Sequence, residues 1–92
     1  QDLKVYAPLA EQGIATAQTQ IGIIHSRGLG VVPVDCVEAC AWWTLAAEGG
    51  DKDAGRYLLD ARQKLTREAL DRLAVRAESL RSQLAAKKKV AP

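Results

Sequence analysis

Gly28-Leu-Gly-Val-Val-Pro-Val-Asp-Cys-Val-Glu-Ala-Cys-Ala-Trp-Trp-Thr-Leu-Ala-Ala-Glu-Gly-Gly50 is the stretch whose reading decides the fold. It reads as a turn, a capped helix and a stop. Gly28 and Gly30 suit the positive φ angles of a tight reversal, and Pro33 keeps the preceding helix from continuing. Asp35 followed three residues later by Glu38 resembles a capping box with Asp in place of Ser or Thr. Ala39, Trp43, Ala46 and Ala47 then recur at helical spacing as one apolar face, and Gly49-Gly50 ends the helix. Small residues beside one large aromatic suit a helix packed closely on another helix. Nothing in the stretch performs chemistry.

Working outward, 92 residues fit one small domain, residues 1–92, with a core near the lower size for independent stability. Phe and Met are absent, and Val31-Val32-Pro33-Val34, the nearest approach to a strand, carries proline inside it. The class is all-α. A net charge of +2 with interspersed signs gives no field that points to nucleic acid. No apolar run is long enough to insert in a membrane. The chain opens in mid-pattern at Gln1-Asp2, so an upstream part is expected.

Five helices are predicted, near 2–12, 14–27, 35–48, 52–64 and 67–87. Pro8 should kink or restart the first. Ala17, Ile21, Ile24 and His25 share a face of the second, where Gly22 permits close approach. Asp51 or Asp53 caps the fourth, with Ala54, Tyr57, Leu58 and Ala61 facing inward, and Thr66 caps the last. An offset of 37 residues carries Ala10 onto Ala47, Glu11 onto Glu48, Gly13 onto Gly50, Ala17 onto Ala54 and Ile21 onto Leu58. The matched positions are stops and close-packing sites, and a period of this size points to a solenoid of helix pairs.

These residues resemble the Sel-one-like repeat (SLR) family, relatives of the tetratricopeptide repeats. The resemblance rests on Gly13, Ala17, Gln18, Ile21 and Gly22, then Gly28, Gly30 and Val31, then Asp35, Ala39, Trp42, Trp43, Ala46, Ala47 and Gly50. One complete repeat covers about 13–49, with partial repeats at 1–12 and 50–65 and a capping helix at 66–89. The Leu65-Thr66-Arg-Glu-Ala-Leu opening of that helix looks like the closing segment of many bacterial members. His25 stands where the family often has tyrosine, and Pro8 and Leu59 depart from the pattern in the partial copies. The resemblance implies an α-α superhelix of antiparallel helix pairs that acts as scaffold, adaptor or regulator by binding a protein or peptide. It implies no catalysis and no cofactor, and a role frequently outside the cytoplasm, so periplasmic, secreted and cytoplasmic settings all stay open.

Stacked pairs expose mainly the first helix of each pair. Thr19, Gln20, Ile23 and Arg27 point away from the packing face, and their mates at +37 are Arg56, Tyr57, Asp60 and Lys64; these eight are the candidate partner contacts. Two other readings stand beside this one. A thiol-dependent enzyme or redox sensor would use Cys36 near a helix N-terminus, and a purely structural cap would bind nothing. Cys36 and Cys40 stand one turn apart, where Cβ atoms lie about 5–6 Å from each other, too far for an easy disulfide. Two Cys and one His fall short of a zinc site. In the last helix Leu70, Leu73, Ala77, Leu80 and Leu84 follow coiled-coil seam spacing. Leu70 to Ala77 is expected on residues 54–61, leaving Leu80 and Leu84 for solvent or a second chain, hence a monomer or weak homodimer through this helix.

Overall fold

A computed structural model describes residues 3–28 and 33–90. The described residues form five helices and no strand: α1 Leu3–Glu11, α2 Ala15–Arg27, α3 Cys36–Glu48, α4 Lys52–Arg62 and α5 Arg67–Val90. The all-helical class and the helix positions agree with the sequence reading. Leu29, Gly30 and Val31, three of the four positions of the expected Gly-x-Gly-Val turn, lie outside the described residues.

The caps explain where helices begin. Asp51 accepts the Asp53 N–H at 3.0 Å, and Thr66 Oγ1 accepts the Ala69 N–H at 3.1 Å. Such bonds satisfy donors that a helix start otherwise leaves open. Asp35 accepts the Glu38 N–H at 3.0 Å, but the reciprocal half of the capping box does not form. The Asp35 N–H donates instead to the His25 carbonyl at 2.9 Å, tying the end of α2 to the start of α3. Glu38 is taken by Arg76, a stronger, charge-assisted partner. Helix α1 runs as one element through Pro8 rather than restarting there. Pro8 is the sixth of the helix's nine residues, past the first turn, so it removes the backbone bond that its N–H would make and crowds the carbonyl of Lys4.

Helix α3 is the centre of the molecule. Ala39, Cys40, Ala41, Trp43, Leu45 and Ala46 are all buried, so it is apolar on nearly every side rather than on the single face expected. The cause is tertiary: α2, α4 and α5 all pack on it. Against α2, the Trp43 indole lies over Gly22, and a Cβ at Gly22 would run into the ring. Trp43 Nε1–H donates to the Thr19 carbonyl at 3.1 Å, which holds the indole there. Gly22→Leu should therefore overpack this contact and destabilise by about 1–3 kcal/mol. Urea unfolding checks it, and an unchanged midpoint would mean that the indole can move aside freely.

The two helix stops use the same backbone geometry. Gly13 and Gly50 have φ of 90° and 100°, a region that disfavours side chains. The Gly13 N–H donates to Ala10 at 3.0 Å as the Gly50 N–H does to Ala47 at 3.0 Å. The Ile14 N–H reaches Leu9 at 3.2 Å as the Asp51 N–H reaches Ala46 at 3.0 Å. Both of these atom pairs recur at the 37-residue offset.

Helix α5 is placed differently from expectation. Its main support is α3, with a further approach to α1, not residues 54–61 of α4. Leu73, Ala77, Leu80 and Leu84 are buried within the chain, Leu80 to 3% and Leu84 to 8% exposure. The length argument assumed α4 as the only support. At 24 residues, about 36 Å, α5 outruns α3 and reaches α1, where Lys87 Nζ lies 2.7 Å from Glu11 Oε2. The leucine patch that suggested a weak homodimer is thus covered internally.

Candidate interaction surface

The eight candidate contact residues divide by what surrounds them. On α2, Arg27 is exposed and Gln20 and Ile23 are half-buried. On α4, Arg56, Tyr57, Asp60 and Lys64 (just past its end) are exposed. Thr19 is corrected: it is 4% exposed, and its hydroxyl donates to Asp51 of the α4 cap while its backbone carbonyl holds Trp43. It is a structural residue. Its burial is set by Trp43 and Asp51, which no reading of α2 alone could place beside it.

The exposed remainder is supported from beneath. Tyr57 packs its ring against Trp43, centroids 5.3 Å apart and planes tilted by 34°, leaving its other side open. Such a ring offers contact area with few rotamers to freeze. Arg56 pairs with Asp53, and Lys64 lies 3.7 Å from Asp60, both on the surface. Pairs so exposed add little stability and can exchange for a partner's charges. Beneath α2, buried Gln18 donates from Nε2 to the Ala10 carbonyl at 3.1 Å, satisfying an end of α1.

A second concavity was not foreseen. A groove of about 690 Å³ runs between the start of α3 and α5, lined by Asp35, Val37, Asp71, Arg72 and Val75 among others. At its edge Arg76 grips Glu38 through Nε at 2.7 Å and Nη2 at 2.8 Å, and Trp42 Nε1–H donates to the same carboxylate at 3.2 Å. The only local signal at Glu38 was its capping position, and the pairing with Arg76 depends on where α5 docks. The Arg76 hydrogen bonds, with its charge, that of His25 and the Trp42 bond, hold the Glu38 pKa below its ordinary 4.5 against the opposing effect of burial. A folded-state pKa below the unfolded one gives stability that is full above about pH 4.5 and lost as pH falls through the folded value. Wild type should thus lose its stability advantage over Glu38→Gln below pH 4.5, as paired melting curves from pH 7 to 3 would read. A constant difference across that range would mean that the pair contributes nothing through ionisation.

The other chemical groups are simply placed. Cys36 is exposed in the first turn of α3, Cys40 is buried, and both are free. Burial pushes the Cys40 thiol up to about 11, so it stays protonated at neutral pH. Among the described residues no cluster of His, Cys, Asp and Glu is arranged to hold a metal ion. No described helix is long and apolar enough to cross a membrane. Of the residues in the SLR-like pattern, Ala17, Gly22, Ala39, Trp43 and Ala46 are buried, Gly28, Trp42 and Ala47 are half-buried, and Gly13, Asp35 and Gly50 are exposed at element ends. In comparison with known proteins, the chain matches no protein-family model and no curated sequence.

Proposed function

We propose that the chain is a non-catalytic protein- or peptide-binding module, built as part of an SLR-like helical solenoid. The observation that carries the reading is the recurrence of the Gly13 stop at Gly50, with the same two bonds from the glycine N–H and the N–H after it, at the 37-residue offset. A chain that repeats its turn repeats the placement of the next helix, so α2 and α4 present equivalent faces. Antiparallel pairing of α2 and α3 is supported by three contacts in reversed order. Asp35 meets His25, Trp43 meets Gly22, and Gly49 lies against Ala15. The binding face consists of Gln20, Ile23 and Arg27 with Arg56, Tyr57, Asp60 and Lys64.

Selection of a random displayed-peptide library on the folded chain tests the reading. Convergent binders are expected, and Tyr57→Ala and Arg27→Glu should each weaken them by about tenfold with unchanged melting. Failure to enrich any sequence, or binders indifferent to both changes, would overturn it.

A further inference from the structure

On α2, Ala15, Gln18, Thr19 and Gly22 stand at i, i+3, i+4 and i+7, the corners of a hole that accepts a knob from a facing helix. Trp43 of α3 is that knob, seated over Gly22 with its N–H on the Thr19 carbonyl. The same four positions at +37 on α4 are Lys52, Gly55, Arg56 and Leu59. The next hole, Gly55, Leu58, Leu59 and Arg62, shares two of its corners. Helix α5 lies on α3, and of these corners Leu58 is half-buried against the core. Leu59 is 65% exposed, and Lys52, Arg56 and Arg62 are exposed around it. A Cβ placed at Gly55 would meet no atom within 4 Å. Glycine inside a helix is unfavourable relative to alanine, and no described residue packs into the space it leaves.

We infer that this open face of α4 docks an acidic amphipathic helix of another protein, which seats a large apolar side chain over Gly55. Charge selects the occupant. Three of the corner side chains are cationic, Lys52, Arg56 and Arg62, and none is anionic. Arg56 is already paired with Asp53, while among the described residues no ion pair involves Lys52 or Arg62. Leu59 fills the site that Gly22 leaves open on α2, and Gly55 opens the site that Gln18 fills there. The recess is therefore displaced by one turn rather than lost. A second copy fits poorly, because the chain is itself net positive at +2. The inference rests on the reading of the chain as a binding module; its surface shares Arg56 with the binding face proposed above but does not include Gln20, Ile23, Arg27 or Tyr57.

The probe is a capped helical peptide of about 15 residues, with one central Trp, Leu one turn to each side and Glu along both flanks. A control carries Lys in place of every Glu. Fluorescence anisotropy against the full chain should show binding of the Glu peptide alone, weakening as salt rises. Amide shifts should map to residues 52–62. Lys52→Glu/Arg62→Glu, two exposed positions, should weaken binding by roughly tenfold or more. Gly55→Leu should also weaken it by filling the recess, with melting retained because its Cβ has free space. Several results would overturn the inference: no binding of either peptide, equal binding of both, or binding indifferent to the charge reversal. Loss of binding only in Tyr57→Ala or Arg27→Glu would also overturn it, while leaving the proposed binding function standing. So would a concentration-dependent dimer in sedimentation that Lys52→Glu/Arg62→Glu abolishes, since a second copy would then be the occupant.

Discussion

Trp43→Ala is expected to destabilise the protein by about 3–5 kcal/mol, the range for emptying a buried aromatic site. The residue is 5% exposed and joins three elements. Its ring fills the space over Gly22 of α2, its N–H holds the Thr19 carbonyl, and its other face supports Tyr57 of α4. Alanine cannot close that space, because α2 and α4 are each anchored elsewhere, by the Asp35–His25 backbone bond and by the Asp51–Thr19 contact. Small domains have about 5–15 kcal/mol of total stability, so the loss is about a fifth of the whole at the least. At roughly 4–8 °C per kcal/mol for a chain of this size, the melting midpoint should fall by more than about 12 °C. Trp43→Phe keeps most of the ring and loses one hydrogen bond, so it should cost only about 1 kcal/mol for the bond beyond the change in packing. Trp42 remains as a fluorophore in both variants. If Trp43→Ala melted where wild type does, the core would not be centred on this contact.

The comparison shows which features are local and which are not. Gly13, Gly50, Asp51 and Thr66 act through their own backbone or the turn beside them, and each performs the role its residue type implied. Gly22 and Trp43 were legible as partners because one small and one large residue at matched positions have few other arrangements. Helix α3 was misread as one-faced because alanine and cysteine give a weak contrast with their neighbours, so the pattern did not reveal three packing partners. Glu38 was assigned to its own helix start when a stronger partner lay 38 residues downstream. The spacing in α5 marked a seam but not what covers it, so Leu80 and Leu84 were expected in solvent or on a second chain when they are buried within this one. Of the candidate contacts, Thr19 changed its standing through atoms contributed by α3 and the α4 cap, and Ile23, read as facing away from the packing face, is half-buried against the core.

Leu80→Ala is the second large expected effect, about 2–5 kcal/mol, and it decides what holds α5 in place. Two kinds of force act there. One is the stripe of Leu73, Ala77, Leu80 and Leu84 buried on the core. The other is a series of ion pairs, Arg76 with Glu38, Arg81 with Glu48 at 2.6 Å, and Lys87 with Glu11 at 2.7 Å. The last two are well exposed, and such pairs contribute about 0–1 kcal/mol each. A buried leucine outweighs both of them together. Arg81→Ala and Lys87→Ala should therefore each change stability by less than about 1 kcal/mol, well short of Leu80→Ala. Leu80→Glu/Leu84→Glu would bury two unpaired charges, so α5 should detach rather than merely loosen. Hydrogen exchange would show this as lost protection of amides 77–87 while α2 and α3 keep theirs. Salt separates the two forces in the unaltered protein: at 1 M the screening length is about 3 Å, which weakens the exposed pairs but leaves apolar burial intact. Protection of α5 should survive that salt. If it vanished, or if Leu80→Ala cost no more than Arg81→Ala, the ion pairs rather than the leucine stripe would be holding the helix.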